Sequence, residues 1–125
     1  MIEHLIVNNS WWDSVDFISK NVLGKYLQLF PEQIQNTVER FSKSNNLWLN
    51  RSSILYQLGY KKNTNAAILF NQCERFKESD EFFIQKAIGW ALREYGKTNP
   101  KAVLGFVKST KLKPLSHREA IRNLI

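Results

Sequence analysis

Asp16, Arg51 and Lys86 stand at intervals of 35 residues, and Arg118 follows Lys86 after 32. Side chains that recur at a fixed period line up along one face of a repeating structure, so these four form a row. The row holds one carboxylate and three cations. Trp12 lies four residues before Asp16, and Trp90 four after Lys86. Residues four apart share a face of a helix, so one helix can present an indole and a carboxylate side by side. Three cations near helix N-termini favour phosphate. A single carboxylate among them is electrostatically out of place and has two readings: an ion pair with a neighbouring arginine, or a negative charge that serves chemistry. Residue types and spacing leave both open.

Other chemistries find less support. His4 and His117 are far apart in sequence with no third ligand, so no metal site is expected. Ser10 reads as a helix cap rather than a nucleophile, because no histidine lies near it in sequence. Cys73 is the only cysteine, which excludes an intrachain disulfide and a four-cysteine zinc site. Tryptophans at helical spacing are ordinarily core. Trp11 and Trp48 are assigned to packing or to the rim, and by spacing alone Trp12 and Trp90 would be too.

The formal net charge is +7, and it is unevenly placed. Residues 1–60 hold five basic and five acidic groups, whereas residues 61–125 hold 13 basic and six acidic ones. The whole excess sits in the second half, as in a chain that grips a polyanion, although a solvated basic face gives the same pattern. No apolar run approaches membrane-spanning length, and Glu3 and His4 stand where a signal peptide has its basic start. The expected location is the cytoplasm.

The elements that must position the row are helices. Five glycines and three prolines in 125 residues leave long uninterrupted stretches of helix formers. Ser10 with Asp13, and Ser116 with Glu119, have capping-box spacing. Pro31 and Pro100 fit the first position of a helix, Pro100 after an Asn99 cap. Thr64 and Asp80 serve as N-cap candidates, and Gly96 as a C-terminal stop. The spacing predicts helices over 2–8, 10–27, 31–43, 46–59, 64–78, 80–96, 100–108 and 116–125. Helix pairs repeating at about 35 residues are the mark of a HEAT-type α-solenoid. The expected fold is all-α: antiparallel HEAT-like helix pairs wound into an α-α superhelix.

Several stretches resemble the AlkD-like family of DNA alkylation repair glycosylases. They are Ser10-Trp11-Trp12-Asp13-Ser14-Val15-Asp16, Trp48-Leu49-Asn50-Arg51, and the long run from Phe82 to Tyr95 that continues into Lys97-Thr98-Asn99-Pro100. The tail from Pro114 to Ile121 also fits. The resemblance implies that Asp16 is a catalytic carboxylate and that Trp12 and Trp90 wall the lesion nucleotide. It puts Arg51 at the DNA backbone, while Lys86 and Arg118 are further DNA contacts suggested by the row. It implies removal of N3- and N7-alkylated purines from duplex DNA without metal or cofactor. The chemistry agrees with the residue set. Alkylation gives the purine a positive charge and makes it a good leaving group, so no general acid is needed. What is needed is a carboxylate for the oxocarbenium-like sugar and electron-rich rings that favour a cation.

The resemblance also implies something missing. Residues 1–125 are expected to form a single HEAT-like domain lacking the N-terminal repeats of the family. Three explanations fit: a shortened gene product, a fragment, or a chain that self-associates through the exposed N-terminal repeat face. Two other functional readings stand beside the glycosylase, a non-catalytic DNA-binding helical-repeat remnant and a protein-interaction scaffold.

Overall fold

Caps and turns divide the chain into helices in the computed structural model, which describes residues 2–8, 12–122 and 124, without the side chains of Asn8 and residues 12–14. Among the described residues there is no strand, and the protein is all-α, as its sequence predicts. No described helix is long and apolar enough to cross a membrane. The chain gathers into two compact units, Met1–Tyr56 and Gln57–Ile125.

In the first unit, α1 (Ile2–Asn8) precedes α2 (Trp12–Ile18). The latter runs through a π-helical turn, Ser19–Leu23, directly into α3 (Gly24–Leu29). Widened turns of this kind are rare and often lie beside functional residues. Gly24 follows this turn for a steric reason, since a Cβ there would come within 2.5 Å of the Tyr56 carbonyl. A 3-10 turn at Pro31–Gln33 leads into α4 (Ile34–Lys43), and α5 (Leu47–Leu55) closes the unit. Both α1 and α2 pack on α5. Val15, Leu23, Leu27, Phe41, Leu49 and Leu55 are among the buried apolar side chains. On α5, Arg51, Ser52 and Ser53 are buried beside Leu49, Ile54 and Leu55. Buried polar side chains must find partners, and these do. Ser19 Oγ donates to Ser52 Oγ at 2.7 Å, tying the π turn to α5.

In the second unit, a 3-10 turn at Lys61–Asn63 precedes α6 (Ala66–Phe76), α7 (Phe82–Gly96), α8 (Pro100–Ser109) and α9 (Pro114–Ala120). Helix α7 touches all three of the others. Ile84, Ile88 and Leu92, four residues apart along it, are each no more than 1% exposed. Phe70 stacks on Phe106, with centroids 4.5 Å apart and planes 7° apart, and meets Tyr95 edge-on.

The 35-residue period is expressed in the helices themselves. Asp16, Arg51, Lys86 and Arg118 are each the fifth residue of their helix, in α2, α5, α7 and α9. A second device repeats with it. Asn50 Nδ2 donates to the carbonyls of Phe41, Ser42 and Ser44, and Gln85 Nε2 donates to those of Phe76, Lys77 and Ser79. The offsets are the same in both, so an amide on the second helix of each pair closes the C-terminal end of the first. This satisfies carbonyls that a helix end otherwise leaves unpaired.

Several local expectations are corrected. Ser116 is no cap, because α9 starts at Pro114 and Ser116 is buried, its hydroxyl donating to the Gln85 carbonyl at 2.9 Å and bonding Gln85 Oε1. Asn65, not Thr64, caps α6, accepting from the Ile68 amide at 3.1 Å. Asp80 pairs with Lys113 at 2.8 Å, and Ser79 Oγ takes the Glu81 amide instead. Asn99 caps α8 as expected, with Pro100 in the first turn. The Ser10–Asp13 pair and Trp11 lie outside the described residues. At the fifth position the row is also one turn beyond the helix start, where the helix dipole has largely faded. Its phosphate preference therefore rests on its own charges.

Candidate active site

Asp16 and Arg51 meet in a buried, two-bonded ion pair. Arg51 Nε donates to Asp16 Oδ1 at 2.8 Å, and Nη2 donates to Oδ2 at 3.0 Å. The Arg51 side chain is 4% exposed and that of Asp16 9%. This fork-on-fork geometry fixes the carboxylate in plane as well as in position. Helix α2 supplies Asp16 and α5 supplies Arg51, and beside them Ser19, in the π turn after α2, bonds Ser52, the residue after Arg51. Charge, bidentate geometry and the adjacent serine link together leave the carboxylate little freedom to turn.

The ion pair alone does not exclude chemistry. A carboxylate offers about four acceptor sites, and Arg51 occupies two. Of the five N–H donors on a guanidinium, two are committed to Asp16. A phosphate contact from Arg51, the place that the resemblance gave it, has to reach a side chain that is almost wholly covered and already bonded to Asp16.

Trp12 starts α2, four residues before Asp16, and its side chain lies outside those described. Trp90 is half-buried on α7 in the second unit, one turn after Lys86. Lys86 Nζ lies 3.5 Å from Glu119 Oε1 and keeps 40% of its side chain exposed. Arg118 is exposed on α9. Arg93 meets Glu119 at 3.1 Å in a partly buried pair, and Glu94 meets Lys97 at 3.0 Å on the surface.

Sequence reasoning missed Glu119 as a charge centre. Its carboxylate meets Lys86, Arg93 and Arg122 at 3.5, 3.1 and 3.8 Å. Burial pushes the Glu119 carboxyl up, but Lys86, Arg122 and Arg93 together outweigh it and hold the group below the usual carboxylate value. The signal was partly legible, since Lys86, Gly89 and Arg93 share a face of α7. That α9 closes over that face is a tertiary fact. Gly89 permits it, because a Cβ there would lie 2.5 Å from the Glu119 Cβ.

Comparison with known proteins agrees with the resemblance. A sequence model for "DNA alkylation repair enzyme" matches residues 1–124. Among solved structures, a predicted DNA alkylation repair enzyme from Enterococcus faecalis superposes with a TM-score of 0.86 at 35% identity, over 99% of this chain. The chain spans 61% of the length of that structure. No curated protein matches. With the match running the length of the repeats that carry Asp16, Arg51 and Lys86, the chain belongs to the DNA alkylation repair enzyme family.

Proposed function

We propose that the chain acts in DNA repair as a glycosylase, hydrolysing the N-glycosidic bond of cationic N3- and N7-alkylated purines in duplex DNA. The observation that carries this reading is the buried, bidentate Asp16–Arg51 pair in a chain of this family. An electrostatic catalyst works best when its charge is fixed in advance in a water-poor site, and Asp16 is fixed in that way. In the proposed reaction the bond between the sugar C1′ and the purine nitrogen breaks. Its electron pair leaves with the already cationic base, which departs neutral. Asp16 stabilises the positive charge left on the sugar and orients a water whose oxygen adds to C1′, and the water's proton is released. Trp12 and Trp90 serve as the aromatic walls for the cationic base. Lys86 and Arg118 hold DNA phosphates, and Arg51 meets the DNA backbone beside Asp16. Neutral lesions such as uracil, which leave poorly without protonation, are poor substrates on this scheme.

The test is release of methylated purines from methylated duplex DNA by wild type and Asp16→Asn, with thermal unfolding of both. Asp16→Asn is expected to lose activity by on the order of a hundredfold or more, as when a preorganised electrostatic group is removed, while remaining folded at the assay temperature. Equal release from both proteins removes Asp16 from the mechanism. No release from wild type, with duplex binding that weakens steeply with salt, favours a non-catalytic DNA-binding remnant. Absence of duplex binding at low salt favours a protein-interaction scaffold.

Self-association is a further part of the proposal. Leu5, Val7, Phe17, Tyr26, Leu29 and Phe30 are exposed large apolar side chains of the first unit, and Leu29 is 75% exposed. The first unit has no net charge to oppose a second copy. Sedimentation over a range of concentrations tests this, and a monomer throughout removes it.

A further inference from the structure

The proposed DNA contact needs a place where a phosphate is held rather than merely attracted. Around Glu119 the second unit assembles three cations on one oxygen: Lys86 Nζ, Arg93 Nη1 and Arg122 Nη1 all lie within 4 Å of Glu119 Oε1. Charged groups that share one partner at those distances are within about 7 Å of one another, a spacing that one phosphate group with its several acceptor oxygens can bridge. A lone carboxylate cancels one of the three charges, leaving an excess of two. Glu119 is itself largely covered, its side chain 13% exposed, while Lys86, Arg93 and Arg122 keep 40%, 22% and 62% of theirs. The negative group is therefore set back, Lys86 and Arg122 face solvent, and Arg93 is reached only in part.

The cluster is built into the packing. Lys86, Gly89 and Arg93 follow one face of α7 at helical spacing. Gly89 lets α9 come close enough to seat Glu119 between the two cations, and any side chain there would collide with Glu119. Ser116, one turn before Glu119, is bonded to Gln85 on α7 and pins the same helix pair in register. Glu119 thus lies among the Lys86 and Arg93 cations of α7 and the Arg122 cation just beyond the end of α9.

We infer that Lys86, Arg93 and Arg122, arranged around Glu119, form a single seat for one phosphodiester of duplex DNA. The inference rests on the proposed DNA-binding role and assigns Arg93 and Arg122 a part in it. Glu119 is not part of the seat itself, and its negative charge beneath the cations limits how tightly the seat holds an anion.

Titration of the full chain with a short unmethylated duplex at several salt concentrations tests the seat separately from base release. Each released counterion contributes a slope of about 0.9 in log affinity against log salt. The triple variant Lys86→Ala/Arg93→Ala/Arg122→Ala is expected to lower that slope by about 0.9, because the three residues share one phosphate. A slope unchanged from wild type, or a fall near three times that size, overturns the seat, as does a wild type that binds no duplex. Glu119→Gln, close in shape to the natural residue, covers the case in which the triple variant does not fold. It is expected to bind the duplex more tightly at low salt, with the gain vanishing at high salt. Unchanged or weaker binding overturns the inference. Loss of base release with the slopes intact leaves the seat standing and removes only the Asp16 chemistry.

Discussion

The two units hold acidic side chains in opposite ways, although the same repeat builds both. In the first, Asp16 meets the Arg51 guanidinium, both almost wholly covered and joined by two hydrogen bonds. In the second, Glu119 faces Lys86, Arg93 and Arg122 at once, and these cations are more open to solvent than Arg51, Lys86 and Arg122 most of all. Burial explains the difference. An unbalanced charge is costly in a low-dielectric interior, so a covered site is driven towards equal numbers. A solvent-facing site is screened by water and tolerates an excess. The first arrangement fixes one carboxylate for chemistry, and the second leaves positive charge for a partner.

The sharpest way to break this contrast is to leave Asp16 without its partner. Arg51→Ala is expected to destabilise the protein by about 3–5 kcal/mol, measured by urea unfolding. The double variant Asp16→Asn/Arg51→Met should be milder than Arg51→Ala alone, because no unpaired buried charge remains. If the two variants unfold alike, the cost of an isolated buried charge is not what distinguishes this site.

The repeated amide caps give a comparison of middling size. Asn50→Ala and Gln85→Ala each strip the donor from a helix end and should cost about 1–3 kcal/mol. Gln85→Ala should lose somewhat more in thermal unfolding, because it also removes the oxygen bonded by the Ser116 hydroxyl. A large loss at one and none at the other would show that the period is repeated in geometry but not in energy.

The smallest effect belongs to Glu119. Its ion pairs lie partly in solvent, and Glu119→Gln should change stability at neutral pH by less than about 1 kcal/mol, fading with salt. Its carboxyl titrates below the ordinary carboxylate value in the folded protein. Its contribution is therefore complete above the unfolded-state pKa and is lost as pH falls through the lowered folded value. Glu119→Gln should accordingly flatten the acid side of the stability profile, and an identical acid limb in both proteins would contradict the lowered pKa.

Much of this was legible beforehand. A fixed 35-residue interval has a direct physical meaning, so Asp16, Arg51 and Lys86 could be placed at equivalent points of successive helices, and each is the fifth residue of its helix. The Asn99–Pro100 start was readable because cap and proline act locally. The errors fell where a local signal lost to a long-range one. Ser116 and Glu119 have capping-box spacing, yet both side chains turn towards α7, and Pro114 starts the helix earlier.

What the sequence determined by itself was the all-α class, the repeat and the excess charge of residues 61–125, because each depends on residue type and spacing. The tertiary structure decided which charges meet. Asp16 finds Arg51 35 residues away and Glu119 finds Arg93 26 residues away, through helix packing that spacing alone leaves open. Helical period sets the face on which a side chain stands. Close approaches such as those at Gly24 and Gly89 set what that face meets, and the meeting fixes whether a charge is buried and paired or exposed and available.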